Sequence, residues 1–231
     1  MSVAVVSGAG SGIGLAVAQA LGERGLPVVA LGRRREPLAA AIASCAAGGL
    51  AVPCDVRDPV AVAAAARLVA ERFGAVRVLV PAAGVARVAP FETLAEESLR
   101  ESLEVNLLGV IHLARAFWPA LARDGRAVFT PILSAAATRG FPGWSAYCAS
   151  KWGLRGFLAA LREEARGGPT RIAAIYPGAT ASALWEEVPG EWNRERMIPP
   201  SEVARAVLYA LDAPAGVAIE EIHLQPAGGD L

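Results

Sequence analysis

Short apolar runs rich in β-branched residues alternate along the chain with longer Ala- and Leu-rich segments of helical character. The predicted strands are Val3–Val6, Pro27–Leu31, Leu50–Pro53, Val76–Val80, Ala127–Thr130, Arg171–Ile175 and Val217–Leu224. Helical patterns lie between them, at 12–24, 36–47, 59–73, 93–122, 145–167 and 201–212. Apolar strands separated by helices indicate βαβ units and a parallel sheet covered on both faces. Because such crossovers are right-handed, we expect an α/β fold with one doubly wound parallel sheet of about seven strands.

The composition fits one folded domain. The chain has 231 residues, of which 54% are apolar and 19% charged, and 22 basic residues balance 22 acidic ones. Such a chain buries enough apolar surface to fold, and zero net charge argues against a nucleic-acid binder that acts through bulk charge. No linker or repeat divides the sequence, so we expect a single domain over 1–231. An irregular stretch near 179–200 is interpreted as a lid over a site or as a plain surface loop.

The sequence predicts neither a metal site nor a membrane span. Cys45, Cys54 and Cys148 lack zinc-binding spacing, and buried reduced thiols in a cytoplasmic protein explain them most simply. The uncharged stretches 1–22 and 37–54 are both interrupted by Gly or Pro, so neither is an unbroken apolar span of about 20 residues. We therefore expect a cytoplasmic location with no membrane partner.

A glycine-rich turn, Ser-Gly-Ala-Gly-Ser-Gly-Ile-Gly at 7–14, separates the first predicted strand from the first predicted helix. Glycine lets the backbone approach a pyrophosphate closely, and a helix N-terminus offers free N–H groups to phosphates. The sixth position of the common dinucleotide fingerprint is Ile rather than Gly, and the spacing is Gly-x-x-x-Gly-x-Gly. The pattern still predicts a dinucleotide site at this turn. Its expected contacts are Gly8, Ser11, Gly12, Ile13 and Gly14.

The end of the second strand favours NADP over NAD. An NAD site usually places an acidic residue here, where it binds the ribose 2′-hydroxyl. In this chain the small Gly32 is followed by Arg33, whose planar guanidinium suits a 2′-phosphate. The Arg33–Arg35 trio is also compatible with a solvated helix start, so NAD stays possible. Beyond the third strand, Asp55 is a candidate acceptor for the adenine amino group, and the alternative N-cap role is better filled by Asp58.

The only lysine among the 22 basic residues is Lys151, four positions after Tyr147. Positions i and i+4 share one helix face, so the ammonium can lie beside the phenol. A free phenol has a pKa near 10 and exchanges protons poorly at neutral pH, and a neighbouring cation lowers that pKa. In a chain that otherwise uses arginine, a lysine here indicates a requirement for a compact ammonium.

Together these motifs resemble the short-chain dehydrogenase/reductase (SDR) family over essentially the whole chain. The family's motifs occur in its order and spacing: the glycine turn, Asp55-Val56, Asn106, Ser134, Tyr147-x-x-x-Lys151 and Pro177-Gly178. The resemblance implies a Rossmann-like fold and an NADP- or NAD-dependent oxidoreductase for a small carbonyl or alcohol substrate. It also implies a homotetramer or homodimer that uses the long helices around 101–122 and 145–167.

The resemblance also implies roles for individual residues. Ser134 would polarise the substrate carbonyl, and Tyr147 would be the general acid in reduction and the base in oxidation. Lys151 would lower the pKa of that tyrosine and hold the nicotinamide ribose, while Asn106 would anchor a water through which protons reach the site. The other implied cofactor contacts are Val56, Ala82, Ala83, Gly84, Pro177, Gly178, Thr180 and Ser182.

Three positions depart from the family pattern. Residues 81–84 read Pro-Ala-Ala-Gly in place of Asn-Asn-Ala-Gly, which puts the hydrogen bonds of that turn in question. Pro131 cannot donate to a sheet ladder, which predicts a bulge before Ser134. Ser182 stands where the family usually has a threonine against the nicotinamide carboxamide, with Thr180 as a second hydroxyl.

We therefore expect an NADPH-preferring carbonyl reductase or alcohol dehydrogenase. Four aromatic residues are candidates to line an apolar substrate pocket, with core or subunit packing as the alternative: Phe141, Trp144, Trp185 and Trp192. Two other functions remain open. One is a ketoreductase of the 3-oxoacyl-carrier-protein type, and the other is a non-catalytic NAD(P)-sensing protein, which would be expected to lose the tyrosine or the lysine.

Overall fold

The computed structural model describes residues 2–214 and 216–229, so the expected domain over 1–231 includes four residues outside these ranges. Within them, the strands are β1 (Ser2–Ser7), β2 (Val28–Gly32), β3 (Gly49–Pro53), β4 (Ala75–Pro81), β5 (Ala127–Phe129), β6 (Thr170–Ile172), β7 (Ala174–Pro177) and β8 (Glu221–Leu224). The α-helices are α1 (Gly12–Glu23), α2 (Arg35–Ala43), α3 (Pro59–Phe73), α4 (Glu96–Leu103), α5 (Gly109–Ala122), α6 (Ser145–Ala165) and α7 (Pro200–Leu211).

Six strands form a sheet in the order β3-β2-β1-β4-β5-β6, and β7 and β8 form a small second sheet. Every strand pair is parallel. Alternate residues of β1 enter opposite cores, since Val5 packs with α3, α5 and α6 while Val6 packs with α1, α2 and α7. The predicted α/β fold, with a parallel sheet buried on both faces, is confirmed. The expected single sheet of about seven strands is instead a six-stranded sheet and a separate two-stranded one.

The predicted strand Arg171–Ile175 is divided in the structure at Ala173, and a proline explains the division. The N–H groups of Ala173 and Ile175 donate to the carbonyls of Phe129 and Pro131, at 3.0 and 3.1 Å. In a regular parallel ladder, the N–H of residue 131 would donate to the carbonyl of Ala173. Residue 131 is a proline and has no N–H, so this bond is missing. The β5–β6 register is regular. Pro131 thus removes one ladder bond rather than producing the expected bulge.

The predicted strand Val217–Leu224 was too long, because only Glu221–Leu224 pairs with β7. Residues 217–220 precede this pairing and are largely exposed. The predicted helix 93–122 is interrupted by a π-helical turn at Glu104–Leu108. By length and composition, the continuous stretch Glu96–Ala122 could cross a membrane, which is weak evidence because buried core helices have the same character. In this fold, α5 packs on α3 and β4.

The strand order places a crevice at one edge of the sheet. From β1 the chain moves outward to β2 and β3, and it then returns to β4 on the other side of β1. Ligands of open α/β sheets bind beyond the carboxyl ends of the strands, at this change of direction. The glycine turn follows β1, Arg33 follows β2, Asp55 follows β3, and Ser134 lies five residues past β5. The parallel sheet therefore brings these residues to one edge.

Candidate active site

The glycine turn forms the floor of the crevice between β1 and β4. Gly8 and Gly12 have φ values of +69° and +51°, a backbone conformation that favours glycine. A Cβ on Gly14 would lie 2.3 Å from the carbonyl oxygen of Gly8, so a side chain there would separate α1 from the turn. The Ser11 hydroxyl does not cap α1. The first N–H groups of the helix have no intrahelical acceptor and line the cleft, which fits a pyrophosphate.

A buried serine supports the turn in which the family's asparagines are absent. The Ser7 hydroxyl accepts hydrogen bonds from the backbone N–H groups of Ala82 and Ala83, at 3.2 and 3.3 Å. These bonds join the carboxyl ends of β1 and β4. They also hold Ala83 close to Gly8, where a Cβ on the glycine would lie 2.7 Å from the Ala83 nitrogen. The question raised by the Pro-Ala-Ala-Gly sequence is answered by Ser7, which the sequence analysis did not select.

Arginine side chains surround the end of the cleft beyond β2 and β3. Arg33, Arg34 and Arg57 line it together with Asp55. The Arg57 guanidinium binds both Asp55 oxygens, at 2.6 to 3.1 Å, and the Arg57 backbone N–H donates to Oδ1. The hydrogen bond from Arg57 holds the pKa of Asp55 below its usual value against the effect of burial, and the charge of Arg33 contributes in the same direction. The part of the cleft beyond β2 and β3 therefore carries excess positive charge, beside the ionised carboxylate of Asp55.

Tyr147 and Lys151 occupy the first turns of α6, on the face turned toward the sheet. The Lys151 Nζ lies 5.6 Å from the centroid of the Tyr147 ring and donates to the backbone carbonyl of Ile132 at 3.0 Å. Ser134 precedes a short 3₁₀ turn at Ala135–Ala137, and its hydroxyl accepts from the Ala136 N–H at 3.1 Å. A hydrogen-bond interaction with this hydroxyl acts to lower the pKa of the Tyr147 phenol. The three side chains that the sequence analysis selected therefore meet at one end of the cleft.

Burial governs the protonation of this group. It raises the pKa of Tyr147 to about 12, although the hydrogen bond with Ser134 acts in the opposite direction. Burial also lowers the pKa of Lys151 to about 8. In this geometry the cost of removing the phenolate from water outweighs the attraction expected from the ammonium. Tyr147 is therefore a neutral phenol at physiological pH, and the pKa of Lys151 lies close to physiological pH.

Asn106 lies behind the cleft, within the π-helical turn. Its amide oxygen accepts from the Val85 N–H, and its amide nitrogen donates to the Val85 carbonyl, both at 2.9 Å. The same nitrogen donates to the Ser150 hydroxyl at 3.0 Å, and that hydroxyl donates to the Tyr147 carbonyl at 2.7 Å. Asn106 thus connects the loop after β4 with the backbone of the tyrosine. Short π segments often occur at functional sites.

The loop after β7 closes the cleft above the glycine turn. Pro177, Gly178, Thr180 and Ser182 all line it. The Thr180 hydroxyl donates to the Gly178 carbonyl at 3.0 Å, and Thr180 forms a parallel bridge with Ile198. A Cβ on Gly12 would lie 3.0 Å from the Ser182 Cβ, so this loop and the glycine turn are in close contact.

An aromatic cluster extends the cleft from the tyrosine toward the segment 183–196. Trp144 contacts Tyr147 edge-on at a centroid distance of 5.4 Å, and it contacts Trp185 at 6.0 Å. Trp185 in turn contacts Trp192 at 4.8 Å, while Phe141 lies 6.4 Å from Trp144. These side chains are half-buried around a small core that is distinct from the two cores of the sheet.

The cleft has a volume of about 480 Å³ and brings together every candidate site residue except Asn106. Besides Ser7, three residues of the site were not predicted from the sequence: Arg57, Ser150 and Ile132. Ser150 precedes Lys151 directly, and its helical position relative to Tyr147 was a usable signal. The role of Ile132 belongs to its backbone carbonyl, which no sequence pattern identifies.

A phosphate-binding turn at the switch point of a parallel sheet, continued by a phenol and an ammonium in one cleft, is typical of nicotinamide-dependent oxidoreductases. Comparison with known proteins leads to the same class. The sequence profile described as short chain dehydrogenase matches residues 2–192. The chain belongs to the short-chain dehydrogenase/reductase family, whose members act on CH–OH and carbonyl groups with NAD(P).

Among curated relatives, the sepiapterin reductase of Chlorobaculum tepidum is 31% identical over 239 residues, covering 99% of this chain and 98% of that protein. The glycine betaine reductase ATRR of Emericella nidulans is 34% identical over 97% of this chain, but the match spans only 18% of that much longer protein.

Among solved structures, an alcohol dehydrogenase from the archaeon Thermococcus sibiricus, complexed with 5-hydroxy-NADP, is 30% identical with a TM-score of 0.89. The match covers 98% of this chain and 97% of that one. A metagenomic short-chain oxidoreductase in complex with NADP is 31% identical with a TM-score of 0.85, at the same coverage.

Proposed function

We propose that this chain is an NADPH-preferring oxidoreductase that transfers hydride between the nicotinamide and a carbonyl or secondary alcohol of a small or apolar substrate. The observation that carries the proposal is the meeting of Ser134, Tyr147 and Lys151 at the end of a cleft whose other end has the glycine turn. When bound, the nicotinamide supplies or accepts the hydride.

The substrate oxygen binds between the hydroxyls of Ser134 and Tyr147. Ser134 donates a hydrogen bond to this oxygen and polarises the carbonyl. In reduction, Tyr147 gives its phenolic proton to the oxygen on which negative charge develops. A pKa of about 12 keeps that proton on the phenol at neutral pH, which is the protonation state that reduction needs. Oxidation needs the phenolate, and Lys151 stabilises it when protonated.

The remaining roles concern binding and positioning. Lys151 also holds the nicotinamide ribose, and Asn106 anchors the water that returns a proton to the tyrosine. The glycine turn, with Ser11 and the start of α1, binds the pyrophosphate. Arg33 binds the 2′-phosphate, and Asp55 accepts from the adenine amino group. Further cofactor contacts are assigned to Val56, Ala82, Ala83, Gly84, Pro177, Gly178, Thr180 and Ser182.

Two structures of relatives bound to NADP-type cofactors support the preference for NADPH. The positive charge of Arg33, Arg34 and Arg57 at the adenosine end supports it independently. We further assign the segment 179–200 as a lid, the whole chain as one domain, and the protein as a cytoplasmic homodimer or homotetramer.

The test is turnover of a broad panel of ketones and aldehydes by the purified protein with NADPH, and with NADH for comparison. Tyr147→Phe should abolish turnover while calorimetry still detects cofactor binding. Tyr209→Phe, an exposed tyrosine on α7, is the matched control and should leave turnover unchanged. Normal cofactor binding by the unaltered protein without turnover of any carbonyl would overturn the catalytic assignment.

The alternatives give different results in the same assay. A carrier-protein ketoreductase would reduce a 3-oxoacyl chain on its carrier far faster than any free ketone. A non-catalytic sensor of NAD(P) would bind cofactor but turn over no carbonyl, with either tyrosine or phenylalanine at position 147.

A further inference from the structure

The substrate end of the cleft is built from aromatic side chains on two separate segments. We call Phe141, Trp144, Trp185 and Trp192 the aromatic wall. Two of its members precede α6, and two belong to the proposed lid, so the wall spans the boundary between the catalytic helix and the lid. Neighbouring rings are tilted by 55° to 60° rather than stacked face to face. The wall begins at Tyr147, whose ring Trp144 contacts edge-on.

The lid members of the wall use their polar atoms on the backbone. The Trp185 indole N–H donates to the carbonyl of Thr180 at 2.9 Å, and the Trp192 indole N–H donates to that of Val188 at 3.2 Å. Both indoles therefore present carbon faces and edges to the cleft instead of hydrogen-bond donors. Around them lie Ala86, Ala136 and Leu184. This surface is therefore apolar.

Charged side chains beside the wall are already engaged. Glu187 pairs with Arg87, whose guanidinium also binds Glu101 at 2.7 Å. The Arg139 guanidinium lies over the Phe141 ring, 4.8 Å from its centroid. Because the Arg139 guanidinium already occupies a face of Phe141, a substrate cation on this wall would compete with it for the ring, so the arrangement favours a neutral ligand over a quaternary ammonium group.

From these contacts we propose that the substrate carries a neutral aromatic ring, which packs on the aromatic wall while its carbonyl reaches Ser134 and Tyr147. The inference rests on the proposed carbonyl reductase function and specifies its substrate class. Tilted rings accept a further ring edge-to-face or offset, and such aromatic pairs add binding energy beyond that of buried area alone. A saturated ring of equal size buries a similar apolar area on the wall but cannot form the aromatic pair, so it binds less tightly than an aromatic ring.

Two ketones that differ only in ring saturation test the proposal. Phenylacetone and cyclohexylacetone have the same reach and an unconjugated methyl ketone. We expect kcat/KM with NADPH to be about tenfold higher for phenylacetone. Trp192→Leu and Trp185→Leu should bring the ratio close to one, whereas Trp185→Phe should keep most of it. Tyr209→Leu, on the exposed face of α7, is the control and should leave the ratio unchanged. Equal rates for the two ketones, or a ratio that survives both leucine variants, would overturn the inference and leave the proposed function intact.

A trimethylammonium analogue of the same ketone should be a poor substrate, and its preference over phenylacetone would also overturn the inference. A binding measurement separates the two proposals. Calorimetric titration of the phenylacetone alcohol into the NADP-loaded protein should show tighter binding than its cyclohexyl counterpart. If the phenyl alcohol binds more tightly but no ketone is turned over, the proposed function is overturned and the aromatic-ring specificity is supported. If the two alcohols bind equally, the aromatic-ring specificity is overturned, whether or not ketones are turned over.

Discussion

The ammonium of Lys151 is held by the backbone carbonyl of Ile132, at an Nζ–O distance of 3.0 Å. Ile132 is itself fixed in the sheet, because its N–H donates to the Pro81 carbonyl at 2.9 Å. The only lysine of the chain is therefore positioned by the edge of the sheet, and among residues 2–214 and 216–229 no carboxylate pairs with it. One of its three N–H donors is used in this way, which leaves two for the phenol and the ribose.

The burial of Lys151 predicts a pH-dependent stability. Its pKa falls from 10.5 to about 8 on folding, so between these values the unfolded chain binds more protons and stability rises with pH. Below about pH 8 the cost of burying the ammonium is fully present. Urea unfolding from about pH 7 to pH 10 should show the wild type gaining roughly 2 kcal/mol relative to Lys151→Met. A constant difference across this range would mean that the ammonium is solvated.

Arg33→Asp should move cofactor preference toward NADH. The substitution removes a charged donor from the 2′-phosphate and supplies an acceptor for the ribose 2′-hydroxyl. We expect kcat/KM for NADPH to fall about tenfold to a hundredfold, while that for NADH is kept or rises. Arg35→Asp makes the same charge change outside the cleft and is the control. An unchanged NADPH/NADH ratio in Arg33→Asp would remove the assigned role of Arg33.

Two helical glycines should respond to alanine in opposite directions. In Gly14→Ala the new Cβ would lie 2.3 Å from the Gly8 carbonyl oxygen, and relief of this overlap should cost about 2 kcal/mol or more of stability and weaken cofactor binding. Gly156 on α6 is exposed, and no atom of the described residues lies within 4 Å of such a Cβ. Gly156→Ala should therefore stabilise the protein by about 0.5–1 kcal/mol. Thermal unfolding and NADPH titration would contradict this account if Gly14→Ala behaved like the wild type in both.

Arg87→Met should loosen the lid. Arg87 connects Glu101 on α4 with Glu187 in the segment 179–200, and it lies outside the Ser–Tyr–Lys group. Because partly exposed ion pairs contribute only about 0.2–1 kcal/mol, we expect the KM for the ketone to rise about twofold to fivefold with little change in kcat. Limited proteolysis within the segment should accelerate. Arg205→Met, which breaks an exposed pair with Glu202 on α7, should change neither quantity.

Light scattering should give the mass of a dimer or tetramer. Leu108 and Trp152 are 43% and 47% exposed on the long helices to which we assign the subunit contact. A charge at either position, as in Trp152→Asp, should shift the protein toward the monomer without loss of the folded circular dichroism signal. A monomer in the unaltered protein would contradict the assembly.

Most elements and their order could be predicted from the sequence, because strand and helix periodicities are local and the central strands β1 and β2 are almost wholly apolar. The glycine turn was accessible because its glycines stand between a predicted strand and a predicted helix. Tyr147 and Lys151 were accessible because the only lysine stands four residues after one of three tyrosines. The division at Ala173 was not accessible, because it depends on Pro131, about forty residues earlier and just past the end of β5. The raised pKa of Tyr147 could not be predicted from the sequence either, because it results from burial of the phenol by residues from many parts of the chain. The π turn around Asn106 carried no signal in a continuous helical pattern.

The position of the cofactor cleft between β1 and β4 has a consequence for the order in which the protein assembles. Ala4 pairs with Val28 on one side, within one βαβ unit, and with Val78 on the other, far along the chain. Pairings that close long loops form late in folding. During synthesis, one edge of β1 stays open until residues 75–81 leave the ribosome, and an open apolar strand edge invites misassociation. The nascent chain would thus acquire dinucleotide binding only after β4 has paired with β1, which joins the β1–β3 part of the sheet to the β4–β6 part.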